Sequence, residues 1–528
     1  MEADTIALLA IGLGVVALLG SALARRTGLP DPVALCAVGV LAGFLPGVPS
    51  VELPPDVVFL VFLPPLLYRS SSLTSLRTLR ANAAPIALLS VGLVLATAFA
   101  VAAVVALVVP GLGLAEGLVL GAVLAPTDPV AAASVFSRLG APRRVVELVE
   151  SESLVNDATA LVLFGLAVEA VVSGPPSPSR AGALLVVSIL GGVAIGVMAA
   201  GIVSLVRRAL PDAGLVLGLS LLTPYLTYVP AERLHTSGVL AVVTAGVLLG
   251  SRADGLSDPV GRLQRAAVWS LVDLLLNAVL FVLLGLQVRR VLADASASAS
   301  LLLTCAVVVL TVIGVRIAWQ FLVPPVLYLL RRSSGRPERR SSAVERLLIG
   351  WTGMRGAVSL AAALSVPQQV DGQPFPGRPV ILVVTVAVIL ATLVVQGTTL
   401  GPLLYRLDVA DEPVGTAAGG RRLLAHVALA RLDELEALGE LTRQDSLPLR
   451  AVWQQAHDRG PDGAVGSGVD LVALRLDIAR AQGEELTRRK RDGRLPAKLV
   501  RELRRELDLQ EARLRGSTAS ESSQPADG

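Results

Sequence analysis

As far as Leu404 the chain alternates long apolar stretches with short polar loops, and beyond it the pattern changes. A bilayer core of about 30 Å calls for about 20 apolar residues per helix. On that length the chain offers about 13 candidate spans, some short or broken, at roughly 4–24, 32–48, 54–68, 82–110, 113–137, 145–173, 182–206, 213–229, 234–250, 267–288, 301–330, 345–366 and 379–404. After Leu404 the sequence is charged and helix-forming, with apolar residues at helical spacing from Arg421 to Leu441 and from Asp470 to Arg515. The pattern predicts an all-α polytopic membrane protein with a transmembrane domain at 1–405, a cytoplasmic helical, regulatory domain at 406–515 and a disordered tail at 516–528. A small-residue linker lies between Asp411 and Gly420.

Loop charge tests this arrangement independently of hydropathy. Arg25 and Arg26, then Arg69, Arg77 and Arg80, then Arg138, Arg143 and Arg144 fall in alternate loops. The alternation continues with Arg207 and Arg208, with Arg252, Arg262 and Arg265, and with the run from Arg331 to Arg340. Basic loops face the cytoplasm, and an odd number of spans then puts the N-terminus outside and the C-terminus in the cytoplasm of a plasma-membrane protein. The first apolar run ends in Ala22-Leu23-Ala24, as a cleaved signal would, but Glu2 and Asp4 precede it and Arg25-Arg26 follow. That is the reverse of a signal peptide, so it reads as a retained span.

Composition agrees: 53% of residues are hydrophobic and 17% charged, against about a quarter charged in soluble domains. A net charge of +4 gives no reason to expect a nucleic-acid partner. Cys36 and Cys305 lie inside apolar segments, and His235, His426 and His457 are far apart, so no disulfide framework, resident metal centre or cofactor is expected.

Charges inside the spans carry the chemistry. An ionisable group at the bilayer centre costs at least about 2.5–3.5 kcal/mol, so each should be paired, solvated or functional. Ala125-Pro126-Thr127-Asp128-Pro129 brackets a carboxylate with two prolines in mid-span. The prolines deprive several carbonyls of helical partners, as at transporter cation sites; the alternative is a simple kink with Asp128 capping the second half-helix. The next span holds Glu152-Ser153-Leu154-Val155-Asn156-Asp157, and Asp157 enters an almost wholly apolar stretch where a hard oxygen donor suits a desolvated cation or a proton. Taken alone, Glu152 also fits an interfacial position. Arg316 and Arg355 lie within apolar spans as well. Glycines beside Arg355 allow close approach to an acid such as Glu152, and Arg316 either finds a counter-charge or reaches toward a membrane surface. Asp273 and Glu232 stay open between interfacial and buried roles.

Thr127-Asp128-Pro129, Glu152 to Asp157, Gly353-Met354-Arg355-Gly356-Ala357-Val358-Ser359 and Leu393-Val394-Val395-Gln396-Gly397 occur in this order. Together they resemble the monovalent cation:proton antiporter family of sodium/proton exchangers, and the match spans nearly the whole membrane part. The resemblance implies a homodimer built from inverted repeats with crossed discontinuous helices, one bundle scaffolding the interface while another moves. It implies that Asp157 binds cation or proton, with Asp128, Ser153 and Thr127 completing the site. Glu152 and Arg355 would form an ion pair, Asn156 would orient the region, and the second broken helix would be the last span, around Thr385 to Thr392. Arg69 departs from the pattern, since members often carry an acidic residue there. Asn156 before Asp157 resembles the electroneutral members, implying one-for-one exchange of Na+, with Li+ as a further substrate, for H+ in pH and sodium homeostasis.

Oxygen ligands alone do not select among alkali cations, which leaves K+/H+ exchange open. A cation channel or an ion sensor with the tail as output is the rival from another class. An intramembrane hydrolase lacks any Ser/His/Asp or metal constellation within the spans, so enzymatic activity is not expected. The basic stretch Arg488 to Arg494 and the mixed charges of Leu499 to Leu514 suit a solvated helix, a dimer contact or membrane lipids.

Overall fold

Lipid offers the peptide group no hydrogen-bond partner, so apolar runs of this length close their bonds within helices. A computed structural model describes residues 3–27, 29–45, 57–74, 76–81, 83–139, 143–174, 177–210, 212–252, 259–293, 298–332, 342–370, 372–407, 417–438, 443, 446–447, 450–451, 453–454, 471–492, 495 and 497–521. The described residues are helical almost throughout, with one small antiparallel hairpin pairing Gln369–Val370 with Gln373–Pro374.

The first six membrane segments are α1 (Ala3–Thr27), α2 (Asp31–Gly43), α3 (Val58–Leu73), α4 (Ala83–Val108), a pair of half-helices α5 (Leu114–Leu124) and α6 (Pro129–Leu139), and α7 (Arg143–Ser173). Then come α8 (Pro178–Ala209), α9 (Ala213–Arg233), α10 (Gly238–Arg252), α11 (Pro259–Ala293) and α12 (Ala299–Arg332). A second pair of half-helices follows, α13 (Ala343–Trp351) and α14 (Ala357–Leu364), and α15 (Arg378–Arg406) closes the membrane part. The tail contributes α16 (Ala417–Ala437), α17 (Leu471–Arg491) and α18 (Ala497–Glu521). Among the described residues seven helices are individually long and apolar enough to cross a membrane, and shorter apolar helices occupy other segments marked by the sequence. In each half of the membrane part, from α1 to α7 and from α9 to α15, the broken segment is followed by one further long helix.

Three predicted features meet the structure unevenly. The span at 113–137 divides at the prolines, as their chemistry requires. α18 continues to Glu521, into the segment read as a disordered tail, while residues 522–528 lie outside the described residues. So do Arg336, Arg339 and Arg340 and most of the linker read at Asp411–Gly420.

Side chains pack the helices in overlapping groups, the largest of which joins α1, α2, α4, α6, α7, α11, α13, α14 and α15. One cluster joins Leu67 and Tyr68 of α3, Val203 of α8, Tyr228 of α9, Val242 of α10 and Trp269 of α11. Another joins Val101 of α4, Leu120 and Leu124 of α5, Val312 of α12 and Val384 and Val388 of α15. Where the groups meet, Val58 and Phe62 of α3 and Leu280 and Leu283 of α11 face Ala357 and Ala361 of α14. The tail has a small core of its own, including Leu424, Leu486, Leu503 and Leu507.

Between α2 and α11 no side-chain layer intervenes. A Cβ on Gly39 would overlap the carbonyl of Val282, and one on Gly285 would overlap the carbonyl of Cys36. Glycine there permits backbone-to-backbone contact, as in other membrane helix pairs. Gly285→Val should therefore lower stability by about 1–3 kcal/mol through overpacking. Gly14→Ala, with nothing within 4 Å of the added methyl, should leave it unchanged or slightly raised. Thermal unfolding of the two purified variants checks both expectations.

Candidate functional site

α5 stops at Leu124 and α6 begins at Pro129, so residues 125–128 belong to neither helix and cross the inside of the bundle, with Ala125 still in the αR region. Proline costs nothing as the first helical residue, which is why α6 restarts there. Asp128 Oδ1 accepts the Val130 amide at 2.9 Å and caps α6, so the capping alternative describes part of what Asp128 does.

The second break is not where the resemblance put it. α15 runs through Thr385 and Thr392 with a π-helical turn at Thr392–Gln396 but no interruption. No glycine or proline occurs between Val380 and Gln396 to open it. The break lies one helix earlier, at residues 352–356 between α13 and α14, where Gly350, Gly353 and Gly356 weaken the helix. The two breaks touch: the Asp128 amide donates to the Met354 carbonyl at 2.8 Å. A Cβ on Gly356 would overlap the Asp128 carboxylate, so only glycine fits that crossing. Thr392 still reaches the site, its Oγ1 accepting the Arg355 amide at 3.1 Å, whereas Thr385 Oγ1 is buried without a hydrogen-bond partner among the described residues.

α7 supplies the wall opposite the first break. Ser153 Oγ donates to the Thr127 carbonyl at 2.8 Å, and Asn156 Nδ2 donates to Thr127 Oγ1 at the same distance. Thr127 Oγ1 in turn donates to Glu152 Oε1 at 3.4 Å. Asp157 is 5% exposed, and among the described residues neither of its carboxylate oxygens takes a hydrogen bond. Asp128 is close enough to act on it as a like charge. Asn156 Oδ1 is a further buried oxygen without a donor among the described residues.

Glu152 is buried but does not pair with Arg355. It forms a two-pronged bond with Arg316, Nη1 to Oε1 at 2.5 Å and Nη2 to Oε2 at 2.9 Å, with both side chains 1% exposed. Arg316 therefore does not reach for a membrane surface. Its Nε donates to the Ile349 carbonyl at 3.2 Å, in the last turn of α13. Arg355 makes the matching contact: its Nε donates to Leu124, the last carbonyl of α5, at 2.9 Å, and its Nη1 to the Gly353 carbonyl. Each guanidinium thus sits at the negative end of a half-helix.

The remaining charges have structural partners. Glu232 Oε1 accepts the Gly238 amide at 3.0 Å and fixes the turn into α10. Asp273 accepts from Asn277 at 3.1 Å and faces Arg69, which gives the departure at position 69 a local counter-charge. Arg316 was visible in the sequence as a buried charge, but its partner was not. Gly356 and the Met354 carbonyl as crossing contacts had only the glycine spacing to signal them.

Removing one partner of a buried ion pair strands the other, at about 3–5 kcal/mol. Arg316→Met should therefore cost about that much stability, and adding Glu152→Gln should recover most of it. A double-mutant cycle on thermal unfolding should show strong coupling between Glu152 and Arg316 and weaker coupling between Glu152 and Arg355.

Comparison with known proteins agrees with this geometry. The family model described as sodium/hydrogen exchanger, transmembrane, matches residues 14–406. A protein of Mycobacterium tuberculosis named as an Na+/H+ exchanger is 34% identical over 523 residues, covering 96% of this chain and 95% of its own. A sodium, potassium, lithium and rubidium/H+ antiporter of Bacillus subtilis is 31% identical, over 81% of this chain and 65% of its own. An Na+/H+ antiporter of Aphanothece halophytica is 32% identical, over 76% of this chain and 75% of its own. Among solved structures, the sodium proton antiporter of Methanocaldococcus jannaschii shares the fold, with a TM-score of 0.62 at 23% identity over 78% of this chain and 100% of that one. With broken helices crossing inside the membrane bundle and the family match running through both halves, the chain belongs to the sodium/hydrogen exchanger family of membrane antiporters.

Proposed function

We propose that the protein exchanges Na+ for H+ one for one across the plasma membrane, with cation and proton competing for Asp157. The observation that carries this reading is the charge at the crossing. Asp128, Glu152 and Asp157 gather at the crossing with Arg316 and Arg355, so with all five ionised the described site holds one uncompensated negative charge. One sodium ion or one proton brings it to zero. The loaded site can then cross the low-dielectric barrier, whereas the empty site carries a penalty of several kcal/mol, which enforces exchange over leak.

Oxygen donors stand ready for a small desolvated cation. Asp157 and Asp128 provide carboxylates, and Thr127, Ser153 and the Asn156 amide oxygen complete the set. Glu152 and Arg316 hold α7 and α12 together behind them. In this reading the protein is a homodimer, the N-terminus is outside and α16–α18 lie in the cytoplasm, where they set the pH at which exchange begins. The alternating basic loops support that orientation. Exchange of this kind serves intracellular pH and sodium homeostasis.

A second reading keeps the mechanism and widens the cargo to K+ and Li+, because the Bacillus subtilis relative is named for sodium, potassium, lithium and rubidium. Reconstituted vesicles separate the readings. Sodium added outside should drive lumenal pH change that is independent of clamped voltage and lost in Asp157→Asn. A response to potassium alone changes the cargo. Cation flux without proton movement rejects antiport in favour of a channel, and voltage-dependent exchange rejects the one-for-one ratio, since each net charge would add about 2.3 kcal/mol at 100 mV. Truncation after Asp411 should shift the pH profile of exchange while leaving its ion dependence intact; an unchanged profile removes the regulatory role of the tail.

A further inference from the structure

Away from the carboxylate crossing, the tail closes over a second cavity. α18 lies against α11, where Arg262 forms an ion pair with Asp508. At the end of α3, Arg501 donates to the Leu73 carbonyl, one of the acceptors a helix end leaves unsatisfied. Between tail and membrane part is a cavity of about 540 Å³, within the range of small-molecule sites. None of its lining residues belongs to the ion crossing.

The lining is charged in one sense. Among the described residues, eight arginine and lysine side chains face two carboxylates, Glu502 and Asp508. Asp508 is already engaged by Arg262, with Arg504 at 3.7 Å. Arg69, which Asp273 offsets, Arg207 and Arg265 reach the cavity from the membrane helices, and Lys490 and Arg505 from the tail. Such a field repels a sodium ion, so this is not its entrance. It attracts an anion, and guanidinium groups bind phosphate oxygens in paired hydrogen bonds better than they bind a spherical halide.

Apolar residues complete the lining: Leu219 and Leu249 from the membrane helices, Val500 from the tail, and the rings of Tyr68 and Trp269, 5.4 Å apart. Trp269 is fixed by donating to Ser220 Oγ at 2.9 Å. A ligand with a phosphate at one end and an apolar or planar part at the other satisfies both surfaces.

We propose that this cavity binds a phosphate-bearing anion, which clamps α18 to the membrane part by bridging arginines on both. The anion lowers the mutual repulsion of the cations, so occupancy favours the docked tail and vacancy favours its release. The inference uses the proposed function only in placing the tail on the cytoplasmic side.

The test measures binding to the full-length protein and does not depend on transport. Thermal unfolding and protease protection of the tail are followed with inorganic phosphate or ATP in detergent, and in nanodiscs of phosphatidylcholine with and without phosphatidylglycerol, against chloride at equal ionic strength. Stabilisation by a soluble phosphate identifies a soluble ligand; stabilisation confined to phosphatidylglycerol discs identifies a lipid headgroup. In either case Arg265→Gln with Arg505→Gln should weaken the effect at least about tenfold, and Arg505→Gln alone, a single change in the tail, should weaken it measurably. No stabilisation beyond chloride, or stabilisation undiminished in both variants, overturns the proposal. Exchange failing in vesicles while anion binding persists would reject the function and leave this site standing.

Discussion

Two short stretches of backbone, residues 125–128 and 352–356, leave helical geometry in the middle of an apolar bundle. There is no lipid or bulk water to take their hydrogen bonds, so each must be answered from within the protein. They answer each other. The Asp128 amide bonds the Met354 carbonyl, the Leu124 carbonyl is met by Arg355, and the Thr127 carbonyl by Ser153. Asp128, Ser153 and Arg355 thus both satisfy the backbone and shape the site, and removing them would leave the breaks with unanswered backbone groups.

Electrostatics follows from that geometry. Breaking a helix exposes a positive end and a negative end, and here opposite charges occupy three of them. Arg355 and Arg316 meet the carbonyl ends of α5 and α13, and Asp128 meets the amide end of α6. Glu152 then balances Arg316 in a buried two-pronged pair, which is structural compensation rather than a surplus charge. Asp157, on the solid helix α7, has no hydrogen-bonded partner of this kind among the described residues. A carboxylate left out of the local balance is what a mobile cation or proton requires.

The sequence announced the first break because proline acts locally: Pro126 and Pro129, three residues apart, each remove a backbone donor and crowd the preceding turn, which favours a kink or break there. The second break depends on three glycines that only lower helix propensity, so its position was settled by the neighbouring strand of backbone at Asp128 and by the need for contact without a Cβ at Gly356. Thr385 and Thr392 belong to α15, which occupies in the second half the place α7 holds in the first, directly after the broken segment. Hydropathy placed Glu152, Arg316 and Arg355 within apolar spans, but left Glu152 and Arg316 open between a buried place and an interfacial one. Which arginine meets which acid was not legible, because the choice is made where α12 crosses the last turn of α13, a relation between distant segments that local pattern does not encode.

The glycine seam between α2 and α11 has a mechanical meaning. With main chains in direct contact at Gly39 and Gly285, there is no layer of rotamers to rearrange, so these helices act as one stiff beam. Any sliding plane must lie elsewhere. The surface where Ala357 and Ala361 of α14 meet Phe62, Leu280 and Leu283 has the right texture, because alanine methyls make shallow ridges that pass over a neighbour with little interlocking. The beam would be the stator of the antiporter, and this alanine face its bearing.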